Sequence, residues 1–284
     1  MESIPRGAVP DFLQVWPCKD DFNMKRIPIM FPILLSFAAL LSQGAEAPMT
    51  AADLAAKLSG LQQNGASFVR LKMEIQQPPG TKAVVLQLQI KQRRSAALTE
   101  IVYQVLWPRE RKGEAVLLRK VINEAPSCSV FLPPNTVRAL DAAQMKQGMF
   151  GSDLSYVDVT ENFYEWKFQA LVGSEVVNRV NCQVLESKPG KGDHSAFAVV
   201  RSWVDVEHMI PMRVEKILAS GTVGRRIDTT KTSSDEGHRV PANLTVKSSK
   251  ADSLTLLEGS SIKHGMAFDR LTFTDEGLKD LNGP

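Results

Sequence analysis

Val69-Arg70-Leu71-Lys72-Met73-Glu74-Ile75 and, beyond Pro78-Pro79-Gly80, Val84-Val85-Leu86-Gln87-Leu88-Gln89-Ile90-Lys91 place an apolar side chain at every second position. Successive side chains of a strand point to opposite faces, so this period predicts an antiparallel hairpin with one buried and one wet face. Upstream the period is different. Thr50 is a helix cap with Asp53 three residues on, and Ala52, Leu54, Ala55, Leu58 and Leu61 form one face before the stop at Asn64-Gly65.

Downstream the period of two continues. Ile101, Tyr103, Val105 and Trp107 predict a strand, as do Val116 and Leu118, and Ser129–Leu132 stops at Pro133-Pro134. Trp166, Phe168 and Ala170, then Val180, Cys182 and Val184, continue the series. Ala196–Val206 and Met212–Leu218 flank a turn at His208–Pro211, and Leu244, Val246, Leu254 and Leu256 close it. The pattern gives about ten strands joined by short connections, with no strand–helix alternation, and so a mainly β chain. Asn135 to Thr160 is the exception. Its Ala139-Leu140-Asp141-Ala142-Ala143-Gln144-Met145 run predicts helical turns between strands, followed by an irregular loop over Gly148–Ser155. Thr274–Leu278 predicts a short terminal helix.

The N-terminal region reads as an address. Met24-Lys25-Arg26 is basic, Ile27–Leu41 is apolar and uncharged, and Ala45-Glu46-Ala47 supplies a small-residue cleavage pattern, the layout of a secretory signal peptide. The run falls short of the roughly 20 residues a spanning helix needs, and Pro28 and Pro32 interrupt it. Met24 is the expected start and Ala47 the expected cleavage point, leaving residues 48–284 as a single exported domain. Hydrophobic content of 43% and charged content of 23% suit a folded globular protein. The net charge of +3 is spread over short clusters such as Arg93-Arg94 and Arg225-Arg226, so nucleic acid is not an expected partner. In an oxidising compartment Cys128 and Cys182 form one disulfide or stay as two buried thiols.

Little in the chain demands catalysis. The four histidines, His194, His208, His238 and His264, have no second His and no Cys at metal-ligand spacing, and there is no nucleophile elbow or phosphate loop. No cofactor and no metal are expected. Asp153 and Asp158 read as loop hydrogen-bonding carboxylates rather than an acid/base pair. The conspicuous feature is apolar strand surface: Trp107, Phe131, Trp166, Phe168 and Trp203 in or beside strands, with Met145, Met149 and Phe150 in the inserted segment. An ordinary core and a curved sheet enclosing an acyl-chain cavity both fit this pattern.

Three stretches carry a family likeness. They are Tyr103-Gln104-Val105-Leu106-Trp107-Pro108-Arg109-Glu110-Arg111-Lys112-Gly113, running into Val116-Leu117-Leu118; Met145-Lys146-Gln147-Gly148-Met149-Phe150-Gly151-Ser152-Asp153-Leu154-Ser155-Tyr156-Val157-Asp158; and Trp203-Val204-Asp205 with Ile210-Pro211-Met212-Arg213-Val214-Glu215 and Ser220-Gly221. From about Leu54 to Leu281 the chain resembles the LolA-like superfamily of outer-membrane lipoprotein-sorting proteins. The resemblance implies an unclosed antiparallel β-barrel with a helical or loop lid, working in the periplasm. It implies an apolar cavity for the acyl chains of a lipoprotein or another lipid, and no enzymatic activity. The cavity is then expected from Leu71, Met73, Leu86, Leu88, Tyr103, Val105, Trp107, Phe131, Trp166, Phe168 and Trp203, with Leu140, Met145, Met149 and Phe150 as lid. An inner- or outer-membrane protein is the expected partner, with transient membrane contact only. A periplasmic lipid-sensing regulator is the alternative. By location on early strands, Arg70 and Arg94 are candidates for the carrier's lid-latching Arg.

Overall fold

The computed structural model describes residues 49–62, 65–193, 195–249 and 252–283. The signal-peptide reading, with Met24 and Ala47, lies outside them. The first described element is α1 (Ala51–Gln62), where Thr50 and Asp53 cap each other: Asp53 N donates to Thr50 Oγ1 at 3.1 Å, and Thr50 N to Asp53 Oδ2 at 3.3 Å. The expected hairpin follows as β1 (Gly65–Gln76) and β2 (Val84–Arg94). Next come β3 (Leu98–Trp107), β4 (Ala115–Val121), β5 (Ser127–Leu132) and β6 (Thr136–Ala139). The inserted segment contains α2 (Tyr156–Thr160). Beyond it are β7 (Phe168–Val177), β8 (Val180–Lys188), β9 (Val199–Asp205) and β10 (Ile210–Ile217). The last three strands are β11 (Val223–Asp235), β12 (His238–Ser248) and β13 (Leu254–His264).

All thirteen strands form one antiparallel sheet, in the order β6-β5-β4-β3-β2-β1-β13-β12-β11-β10-β9-β8-β7. Every neighbour is a sequence neighbour except β1 and β13, which pair the first strand of the sheet to the last. β6 and β7 are the two margins, so the sheet is an unclosed half-barrel. No helix among the described residues is long and apolar enough to cross a membrane.

The inner face carries two apolar clusters. Under the inserted segment, Met73, Ile75, Leu86, Leu88, Tyr103, Val105, Val116 and Val130 are buried together. Under α1, Leu54 and Leu58 meet Leu185, Val200, Val204 and Val214. The outer face of β2–β4 is not wet as expected. Gln89, Lys91 and Gln104 are buried because the C-terminal segment straps across them. Gln104 Nε2 donates to the Leu278 and Asp280 carbonyls at 3.0 and 2.8 Å, and Gln89 Nε2 to that of Leu281 at 2.9 Å. Phe273 and Leu278 anchor the strap against Val102, Ala115 and Phe131.

Two strands had no sequence signal. β6 is exposed throughout, so no alternation marks it. β11 is rich in Arg, Thr, Ser and Asp, and its inward positions include Arg225 and Thr229, polar groups with polar partners. Of the helical turns expected from Ala139–Met145, one forms, and as a 3-10 turn at Gln144–Lys146, while Ala139 ends β6. The terminal helix is likewise a 3-10 turn, Gly277–Lys279.

Candidate binding face and its lid

The segment from Leu140 to Lys167 leaves the sheet at β6 and rejoins it at β7. Asp141 Oδ1 accepts from Ala143 N and Gln144 N, both at 2.8 Å, and this starts the 3-10 turn that lowers Met145 onto the sheet. Gly148 bridges to Ser155, and the intervening hairpin is tight enough that a Cβ on Gly148 would stand 1.8 Å from the Ser152 carbonyl oxygen. Phe150 adopts φ 56°, a left-handed conformation that a bulky residue takes only when its surroundings hold it there. Ser155 and Asp158 then form a reciprocal capping box that starts α2.

This lid presents Met145 and Met149, both buried, with Leu140, Phe150, Leu154, Tyr156, Val157 and Val159 partly buried beside them. Leu71, Met73, Leu86, Leu88, Tyr103 and Val105 lie beneath it. Ten of the expected residues thus come together, four from the lid and six from the sheet. Trp166 sits on the inner face too, but in the second cluster beneath α1, in edge contact with Phe163.

Four expected residues lie elsewhere. A register shift between Gln87 and Leu88 sets Trp107 opposite Gln87, and Trp107 is 49% exposed. Phe131 is on the outer face under the C-terminal strap. Trp203 packs with Val184 and Met212 on the outer face, donating from Nε1 to Glu175 Oε2 at 2.9 Å. Phe168 begins the β7 margin and is 54% exposed. Strand parity decides each case, and a bulge or margin shifts it without a mark in the residue pattern. The disulfide is also corrected. Cys128 and Cys182 are free and buried in different clusters, one inner and one outer. Burial pushes the Cys128 thiol up to about 12, so it is unreactive.

The lid is fastened by charges that pattern reading missed. Lys216 on β10 and Arg225 on β11 are directly opposite, both facing inward. Two like charges in that position repel, and Asp158 of α2 enters between them. Lys216 Nζ lies 2.9 Å from Asp158 Oδ1 and 2.8 Å from Glu161 Oε2, and Arg225 Nε donates to Asp158 Oδ2 at 2.9 Å. Burial alone would push the Asp158 carboxyl up, but Lys216, Arg225 and the Ser155 hydroxyl outweigh it and hold it at about 2. Burial would lower the Lys216 ammonium, and Asp158 and Glu161 reverse that and raise it. The available signal was Lys216 itself, a cation holding the inward phase set by Val214.

Arg94 adds a further hold, its Nη2 donating to the Val159 carbonyl at 3.3 Å. Arg70 is exposed and stacks over Phe68, away from the lid. Asp153 ties the other end of the lid to β13, its amide donating to Thr255 Oγ1 at 2.9 Å. His208 stands beside two carboxylates, Asp205 and Glu207. Asp205 Oδ1 accepts from the Glu207 and His208 amides, so that carboxylate closes the β9–β10 turn.

Among solved structures, a DUF1329 family protein from Desulfovibrio piger aligns with a TM-score of 0.74 at 17% identity, over 80% of this chain and 97% of that one. The outer membrane lipoprotein-sorting protein domain from Vibrio parahaemolyticus, described as putative, gives 0.71 at 16% identity, over 81% and 98%. A LolA superfamily protein from Nitrosomonas europaea gives 0.63 at 18% identity, over 80% and 99%. These likenesses show the fold. No curated protein matches the chain. A family model described as "Uncharacterized protein" matches residues 98–280, from β3 to the C-terminal strap. The chain belongs to the family which that model describes, and its fold is LolA-like.

Proposed function

We propose that the protein is a periplasmic carrier that buries the acyl chains of a lipid or lipoprotein between the inner face of the sheet and the displaced lid. One observation carries this reading. Among the described residues from Asp141 to Asn162, no main-chain hydrogen bond joins the lid to the main chain of the sheet. Beyond Leu140, whose amide donates to the Cys128 carbonyl at 2.9 Å, the lid is held by side chains, apolar ones from Met145 to Val159 and ionic ones at Asp158 and Glu161. Such a cover can be exchanged for acyl chains without breaking a strand ladder. The exchange is balanced by design: each buried methylene contributes roughly 0.8 kcal/mol, so two long chains leave only if the lid refills the space they vacate. The leader-like sequence at Met24–Ala47 and the likeness to a lipoprotein-sorting protein domain and a LolA superfamily protein support export and this cargo class.

Replacing Met149 and Phe150 together with Asp places two carboxylates where the lid meets apolar strands. Native mass spectrometry of protein purified from its own periplasm is expected to find acylated molecules in the wild type and none in the variant. Unchanged lipid content in a folded variant, or none in the wild type, refutes the reading.

A further inference from the structure

Beside the lid is a cleft of about 440 Å³, between the Lys146–Ser155 part of the lid and the ends of β11 and β12. Its cations are underused. Arg225 is 8% exposed, its Nε is committed to Asp158, and neither Nη bonds to a described residue. Lys146, exposed on the 3-10 turn, lines the same cleft. Among the described residues its one lining carboxylate is already committed. Asp153 Oδ1 accepts from Ser248 N at 3.2 Å and Ser253 Oγ at 2.9 Å, and Oδ2 accepts from Thr255 Oγ1 at 2.9 Å. Phe197, Leu218 and Val157 are part of the cleft's apolar lining, and Val157 is also one of the lid residues packed against the inner face of the sheet. The cleft therefore sets unspent donors at the border of the acyl-binding surface.

We infer that this cleft holds the phosphate headgroup of an acylated molecule whose chains lie under the lid. The inference rests on the carrier reading and names the cargo more closely. A guanidinium with two free amines presents the planar fork that phosphate oxygens accept. Asp153, saturated by two hydroxyls and an amide, adds a shaped wall whose negative charge is already spread over its donors.

The test uses the full chain with three probes in calorimetry: dihexanoyl phosphatidylglycerol, uncharged dihexanoylglycerol and inorganic phosphate. The phosphate-bearing lipid is expected to bind about tenfold tighter than the uncharged one, and phosphate to compete with it alone. Arg225→Lys keeps a cation opposite Asp158 but removes the fork, and the preference is expected to fall about fivefold. Lys146→Gln, at a solvent-facing position, is expected to lower it about twofold, and it keeps the test open if Arg225→Lys unfolds. Equal binding of both lipids overturns the headgroup assignment and leaves the carrier reading standing, as does a preference that neither variant changes. Binding of inorganic phosphate with no uptake of either lipid overturns both.

Discussion

Asp158 is the residue on which the lid turns. Its carboxylate has no solvent exposure, caps α2 and separates two cations that would otherwise face each other. Removing one member of a buried charge cluster typically costs about 3–5 kcal/mol, because the remaining charges lose their partner. Asp158→Asn is expected to lose about 3 kcal/mol in chemical denaturation, and a loss below about 0.5 kcal/mol would show that Glu161 alone holds Lys216. The pH dependence follows from the same carboxyl. Lowered from 3.8 to about 2, it contributes about 2 kcal/mol that is complete above about pH 4 and lost as pH falls through about 2. Lys216 is raised, so its contribution is complete below its ordinary value of 10.5 and lost only as pH climbs past that value. Protection of residues 141–162 from hydrogen exchange, taken relative to the intrinsic amide rate at each pH, should therefore fall between pH 4 and 2 in the wild type and show little such step in Asp158→Asn. The sequence offered Asp158 as a loop carboxylate. Its partners on β10 and β11 are more than fifty residues away, and only the strand register sets them opposite one another.

At the scale of elements, legibility followed how each strand is buried. β1 and β2 have a clean two-residue period because their inner positions meet apolar lid residues. β11 and β6 do not: one turns polar groups inward, and the other buries nothing. The lid was legible as an insertion but not in its form. Ala-rich composition favours helix by propensity, yet Asp141 caps a 3-10 turn and the Gly148–Ser155 bridge closes a tight hairpin, so local hydrogen bonding overrides propensity. That hairpin depends on one missing side chain. Gly148→Ala would force the turn open against the Ser152 carbonyl and draw Met149, fully buried, out of the inner cluster. The expected loss is about 2–4 kcal/mol, with lid exchange faster than in the wild type. A variant as stable and as protected as the wild type would mean that the turn relaxes without moving Met149. The candidate cavity was half legible for the same reason: its six sheet residues follow simple alternation, whereas Trp107, Phe131, Phe168 and Trp203 depend on bulges, margins and a strap at the far end of the chain.

At the scale of the molecule, an open sheet leaves two margins. β7 exposes Phe168, Leu171, Val172 and Val176, with Glu175 its one charged residue, so it has little of the charge that usually guards an edge. Val176→Lys is expected to raise the concentration at which the protein aggregates while changing stability by less than about 0.5 kcal/mol; a variant that aggregates at the same concentration would place the weakness at another margin. The strand order has a second result. Because the lid is the very chain that runs from one free margin to the other, it never diffuses away when it lifts. Under the carrier reading it would act as a competitor on a leash, facing the apolar surface at an effective concentration that the length of the tether sets and dilution leaves unchanged, on the order of millimolar. An acyl ligand bound as proposed would have to win against an occupant that is always within reach, and its apparent affinity would be the intrinsic one multiplied by the fraction of molecules whose lid has swung clear.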